Sequence, residues 1–137
     1  MNKYEVQVDG ITYIVDNIGF EYSQLDGDNA GRSDDGTMYR DVVGMINKVS
    51  CDFNDSDKWK GATLSNLLTV IKKKNCSFNY FDPMENSRIT KNMYVVSDKV
   101  EVYLIDGIYY AKPFQIRFIQ MDVDTIWLVQ VVHIKLN

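Results

Sequence analysis

Polar and apolar residues alternate along most of this chain, and the alternation has the two-residue period of β-strands. Residues 4–8 alternate, Asp9-Gly10 offers a tight turn, and the apolar pattern resumes over Ile11–Val15. This predicts a hairpin closed by a type I′ turn. In the next stretch Phe20, Tyr22 and Gln24 fall on one face. Residues 40–54 then form a long extended segment in which Val49, Cys51 and Phe53 alternate with Lys48, Ser50, Asp52 and Asn54. One face of that segment is expected in the core and the other in water. Further strand-like runs are "CSFNYF", "ITKNMYVV", "KVEVYLI" and "IYYAKPFQIRFIQMD". They are separated by turns at Asp82-Pro83 and Asp106-Gly107. Phe114, Ile116, Phe118 and Gln120 oppose Gln115, Arg117 and Ile119, and Pro113 marks a strand start or edge.

One segment breaks the two-residue period. Over 63–74, Leu64, Leu67, Leu68 and Ile71 recur at helical spacing and form a single apolar stripe. Thr63 is the expected N-cap, Lys72, Lys73 and Lys74 suit the negative end of the helix dipole, and Asn75 ends the helix. The lysine triplet reads as a solvated helix end rather than a phosphate site. Leu67 and Leu68 are expected at the contact between helix and sheet. The fold expected is mainly β (α+β): an antiparallel β-sandwich or barrel of seven to nine strands with one flanking α-helix. No linker, repeat or low-complexity run divides the chain, so residues 1–137 are expected to form a single domain. Residues 1–122 carry the sandwich, and 123–137 follow as a C-terminal extension. From Ile126 to Leu136 both faces of a strand would be largely apolar, so this segment suits a buried strand or an arm added to a neighbour's sheet edge.

Composition narrows the possible functions. The net charge of −4 argues against general binding of nucleic acid, which needs a basic face. No apolar run is long enough for a transmembrane helix, so no membrane insertion is expected. "MNKYEVQVDG" lacks the apolar core of a signal peptide, which points to synthesis in a cytoplasm. Cys51 and Cys76 lie in alternating segments and are expected as small buried residues. His133 is the sole histidine.

The segment "QLDGDNAGRSDDGTMYRD", residues 24–41, holds five aspartates, two arginines and three glycines. Calcium binding fails on spacing. Asp26, Asp28 and Gly31 fit the first half of a calcium loop, but Ala30 has no side-chain oxygen and Thr37 stands where a bidentate glutamate is needed. The glycines do not follow phosphate-loop spacing, and the carboxylates would repel an anion. Asp34 and Asp35 have nothing nearby to raise one carboxyl above the other, and no nucleophile has a histidine partner. No metal, cofactor or enzymatic activity is expected.

The order "LDGDNAGRSDDGTMYRD", then a strand, "LSNLLTVI", "FNYFDP" and "ITKNMYVVSD" resembles the small tail-region proteins of long-tailed phages and prophages of Gram-positive bacteria. Asp26, Gly31, Arg32, Gly36, Met38, Arg40 and Asp41 carry the loop motif. Leu67 and Leu68 match the helix, Tyr80, Asp82 and Pro83 the turn, and Met93, Tyr94, Val95 and Asp98 the later strand. The helix start, "KGATLS", departs from the family's acidic first turn, and 123–137 run beyond the family pattern. The resemblance implies a tail-tube-like fold in a virion structural protein that self-assembles into rings of a tail tube, hub or baseplate. Its partners would be copies of itself and other tail proteins. The alternative is a monomeric adaptor that docks on another tail protein or a host ligand. On the first reading, Asp26, Asp28, Gly31, Arg32, Asp34, Asp35, Gly36, Met38, Arg40 and Asp41 form a subunit-interface loop, with aspartates of one copy facing arginines of the next.

Overall fold

The computed structural model describes residues 3–26, 31–32, 38–39 and 42–122. The strands in chain order are β1 (Glu5–Val8), β2 (Ile11–Ile14), β3 (Asn17–Asp26), β4 (Gly31–Arg32), β5 (Met38–Tyr39) and β6 (Val42–Phe53). Helix α1 (Gly61–Leu68) and a 3-10 turn (Thr69–Lys72) follow. The chain continues with β7 (Cys76–Asp82), β8 (Ser87–Ser97), β9 (Val102–Ile105), β10 (Ile108–Ala111) and β11 (Phe114–Gln120). Nine of these strands have four residues or more, all pairing is antiparallel, and the single helical segment flanks the sheets, as the alternation predicts. Both predicted DG hairpins form. Asp9 and Gly10 have φ of 49° and 84°, and Asp106 and Gly107 have 51° and 79°, the left-handed pairs that a type I′ turn requires.

Seven strands make one sheet in the order β2-β1-β7-β8-β11-β6-β3. Its edge strands are consecutive in sequence, separated only by Val15 and Asp16. The Val15 N–H donates to the Tyr4 carbonyl at 3.0 Å, and the next amide, Asp16 N–H, donates to the Asp52 carbonyl at 2.9 Å. A sheet whose two edges meet within two residues must roll over on itself, so it closes into a flattened sandwich around one core. Contacts across the interior agree. Phe20 of β3 stacks on Tyr80 of β7 at 6.0 Å, and Phe78 of β7 stacks on Phe118 of β11 at 4.0 Å. Val49, Cys51 and Phe53 are buried, as are Phe114, Ile116, Phe118 and Gln120. Cys51 and Cys76 are buried free thiols.

The helix differs from its prediction. It starts at Gly61, not Thr63, and the residue at its N-cap is Lys60, which makes no side-chain capping bond. Lys60 is extended and forms a β-bridge to Tyr110, so tertiary contact sets the helix start rather than a threonine hydroxyl. The α-helix ends at Leu68 and tightens into the 3-10 turn. At three residues per turn, that turn puts Val70 rather than Ile71 under Leu67. The buried stripe is Leu64, Leu67 and Val70, while Leu68 and Ile71 pack partly buried at its margin. Lys73 is extended and Lys74 follows it, so neither lies in a last helical turn. Lys73 instead pairs with Asp9 in the first hairpin turn.

These burials separate two adjacent leucines. Leu67→Ala is expected to cost about 2–5 kcal/mol, the range for truncating a buried leucine. Leu68→Ala should cost clearly less. Urea unfolding of both variants checks the order, and an equal or reversed loss would contradict the placement of the helix.

Candidate assembly surfaces

The rolled sheet has two dissimilar ends. At one end the interior turns polar. The Tyr22 hydroxyl donates to Asp82 Oδ1 at 2.5 Å, and the Met84 N–H donates to the same oxygen at 3.2 Å. Asn47 Nδ2 donates to the Tyr80 hydroxyl at 3.2 Å, and the Asn47 N–H donates to Gln120 Oε1 at 3.1 Å. Asn47, Asp82 and Gln120 are all buried. Buried polar groups are costly unless partnered, so this network ties β3, β6, β7 and β11 together at one place. Asp82 was expected only as a turn residue, and the alternation alone does not reveal that it is 1% exposed.

Beyond this network β3 and β6 run on as a ribbon, pairing as far as Asp26 opposite Val42 with an irregularity between Leu25 and Asp26. Gly31-Arg32 then pairs antiparallel with Met38-Tyr39. The interface loop expected from the sequence is therefore the continuation of the β3–β6 hairpin, mounted on a tied stem. Asp26 closes β3, and Gly31, Arg32 and Met38 lie in the short ladder. Asp28, Asp34, Asp35, Gly36, Arg40 and Asp41 lie outside the described residues, as do 123–137.

The stem carries a pH signature. Burial, with the carboxylate of Asp82 beside it, pushes the Tyr22 phenol up from 10.0 to about 12. A folded-state value above the unfolded one favours folding below pH 10, and that contribution is lost as pH rises through 12. Tyr22→Phe should therefore unfold with a shallower loss of stability between about pH 10 and 12 than the parent. Parallel denaturant titrations check this, and identical slopes would contradict it.

The other end is apolar and is organised by Trp59, which the sequence patterns did not single out. Its ring is 2% exposed and meets Phe53 edge to face at 4.8 Å. Its indole N–H donates to Asp16 Oδ2 at 3.1 Å, and its carbonyl accepts from the Ala111 N–H at 3.1 Å. Burial raises the Asp16 carboxyl, but the Asn54 amide, the Trp59 indole and the Asp55 amide outweigh it, so its pKa is lowered. A lone large aromatic in the polar connector "NDSDKWKG" was the available signal for such an anchor.

Beside this anchor the β9–β10 hairpin forms its own two-stranded sheet. Tyr103 stacks on Tyr110 at 5.5 Å, and the Lys60 ammonium lies 5.1 Å over the Tyr110 ring. Val102, Tyr103, Leu104, Ile105, Ile108 and Tyr109 are nonetheless exposed, six of the eight strand residues. A groove of about 640 Å³ separates the hairpin from α1, lined by Leu64, Leu68, Val102, Ile108 and Tyr109 among others. Contiguous exposed apolar surface of this kind marks a place where another chain or molecule binds. The sequence placed this hairpin among ordinary sheet strands. The runs "VYLI" and "IYYA" lack polar alternation and so read as core strands, although most of their residues are exposed.

Among the described residues, no group of three or more His, Cys, Asp or Glu side chains could hold a metal ion. No helix among them is long and apolar enough to cross a membrane.

No family model matches the chain, and no curated protein matches it in sequence. Solved structures do share its fold. A chain from the virion of a native gene transfer agent particle matches with a TM-score of 0.52 at 8% identity, over 88% of this chain and 92% of that one. A chain from the tail of an empty gene transfer agent particle, treated with helical refinement and C6 symmetry, matches with a TM-score of 0.50 at 10% identity over the same shares. At these identities the likeness is one of fold.

Proposed function

We propose that this protein is a structural component of a phage-like tail and assembles as rings stacked head to tail. The observation that carries this reading is the fold shared over 88% of the chain with a chain of a C6-symmetric tail. Two further features support it. A rolled sheet with a polar end that carries the β3–β6 ribbon and an apolar, helix-bearing end is a polarised building block, suited to heterologous contacts that repeat in one direction. The segment from Asp26 to Asp41 carries both charge signs, which lets one copy's arginines meet the next copy's aspartates. Residues Asp26, Asp28, Gly31, Arg32, Asp34, Asp35, Gly36, Met38, Arg40 and Asp41 are the lateral contact in this proposal. The partners are other copies of this chain and other tail proteins, and the protein resides in the virion tail.

Quantitative mass spectrometry of isolated tails tests the role. A tube-forming subunit is expected in many copies per tail, scaling with tail length. A constant one to few copies would favour an adaptor at one end.

A further inference from the structure

The β9–β10 hairpin is joined to the large sheet by irregular chain on both sides, residues 98–101 before β9 and Lys112-Pro113 after β10. Its base is closed by its own backbone, the Lys112 N–H donating to the Glu101 carbonyl at 2.9 Å. Most of its side chains are exposed, and the groove against α1 leaves room beside it. An element with few buried groups and an irregular junction on each side opens at lower cost than the core strands. What holds it down is the connector 54–60 between β6 and α1. The Ala111 N–H donates to the Trp59 carbonyl at 3.1 Å, the Ser56 hydroxyl donates to the Ala111 carbonyl at 2.7 Å, and Lys60 bridges Tyr110. The position of the hairpin therefore follows that of the connector.

The connector is set in turn by one carboxylate oxygen. Asp16 Oδ2 accepts the Asn54 N–H at 2.6 Å, the Asp55 N–H at 3.3 Å and the Trp59 indole N–H at 3.1 Å. Asp16 lies in the short junction between β2 and β3, and its own N–H anchors it to the Asp52 carbonyl at 2.9 Å. The Lys58 ammonium donates to the Ile14 carbonyl, so the Asp16 carboxylate faces the connector's N–H donors. Hydrogen bonds to an ionised acceptor are roughly twice as strong as neutral ones. A single charged oxygen thus gathers both ends of the connector, and the connector carries the hairpin.

We propose that the β9–β10 hairpin opens and closes as one unit on the junctions 98–101 and 112–113, with Asp16 as the positioning residue that keeps it closed through the connector. Opening breaks the bond from Ala111 to Trp59 and widens the groove against α1, while β6, β8 and β11 keep their pairing. The motion belongs to a single copy of the chain, so it stands apart from the stacked-ring reading.

Native-state hydrogen exchange of the full chain, followed residue by residue by NMR, tests this. In the parent the Ala111 amide is expected to exchange at least about tenfold faster than the Phe118 amide of the core, and its rate should respond weakly to low urea, because a local opening exposes little surface. An Ala111 amide that exchanges only with the core would overturn the proposal. Asp16→Asn keeps the size of the side chain and removes the charge. It is expected to speed Ala111 exchange by a further factor of about ten. Phe118 exchange should change by less than about threefold. Equal acceleration at both amides would make Asp16 a general stabiliser and overturn its positioning role, and so would an unchanged Ala111 rate. Trp59→Phe, which removes one donor from the same oxygen and keeps a ring in place, guards against loss of folding in the Asp16 variant. It should move the Ala111 rate in the same direction by a smaller factor, and a rate that tracks Phe118 would overturn the proposal.

Discussion

Replacing Trp59 with alanine is expected to cost about 3–5 kcal/mol, as truncations of buried large aromatics do. Trp59 lies under the apolar end of the sandwich, where it contacts Phe53 at 4.8 Å and Tyr13 at 6.5 Å. Its backbone carbonyl also receives the Ala111 amide, which fixes the end of β10 against the body of the protein. Loss of the ring therefore opens a cavity beneath the helix and removes a donor from Asp16 together. Trp59→Phe separates these effects. It keeps most of the packing and loses the indole N–H, so it should cost about 1 kcal/mol, the value of one hydrogen bond to a solvent-accessible partner. Urea unfolding of both variants checks the pair. A loss below about 1 kcal/mol for the alanine variant would mean that the surrounding ring stack, not Trp59, holds this end together.

The largest effect on assembly is expected from reversing charge in the segment between β3 and β6. Arg32→Glu combined with Arg40→Glu places two more acids against the aspartates of the next copy. Like charges opposed at an interface cost several kcal/mol. In a single copy the same changes should shift stability by only about 0.5 kcal/mol, as most surface substitutions do. The double variant should therefore melt with the parent as a monomer and fail to sediment as assemblies. A lowered monomer melting temperature would mean that one arginine anchors the segment to its own sandwich. Unchanged assembly would move the lateral contact elsewhere on the subunit.

Much of this architecture was legible because a strand buried on one face must alternate. Val49, Cys51 and Phe53, and Phe114 through Gln120, announced their strands and their inward faces. The two DG pairs announced their hairpins because few residue pairs accept two successive left-handed conformations. The helix was legible by its stripe but not by its ends. Its start depends on Lys60 meeting Tyr110, 50 positions away, and its last turn is tightened in a way that 3.6-residue spacing does not anticipate. Ile71 was misplaced for that reason, since Val70 takes the buried position, and Leu68 packs against the core only partly buried. The polar network of Tyr22, Asn47, Asp82 and Gln120 was hidden, since Asn47 and Asp82 look locally like solvent-facing and turn positions, and the alternation that turns Tyr22 and Gln120 to one face does not name their partners. Tyr22, Asn47 and Gln120 sit on the neighbouring strands β3, β6 and β11, and the rolling of the sheet brings Asp82 of β7 across to them. The exposed β9–β10 hairpin was hidden by the opposite effect: its apolar runs look like core, and local sequence does not report that its sheet has two strands among the described residues.

Electron microscopy of the purified full-length chain at high concentration tests the central claim most directly. The account predicts rings and short tubes of stacked rings. A protein that stays monomeric by light scattering at the same concentration, and shows no rings in the micrographs, would contradict self-assembly and point to an adaptor in its place.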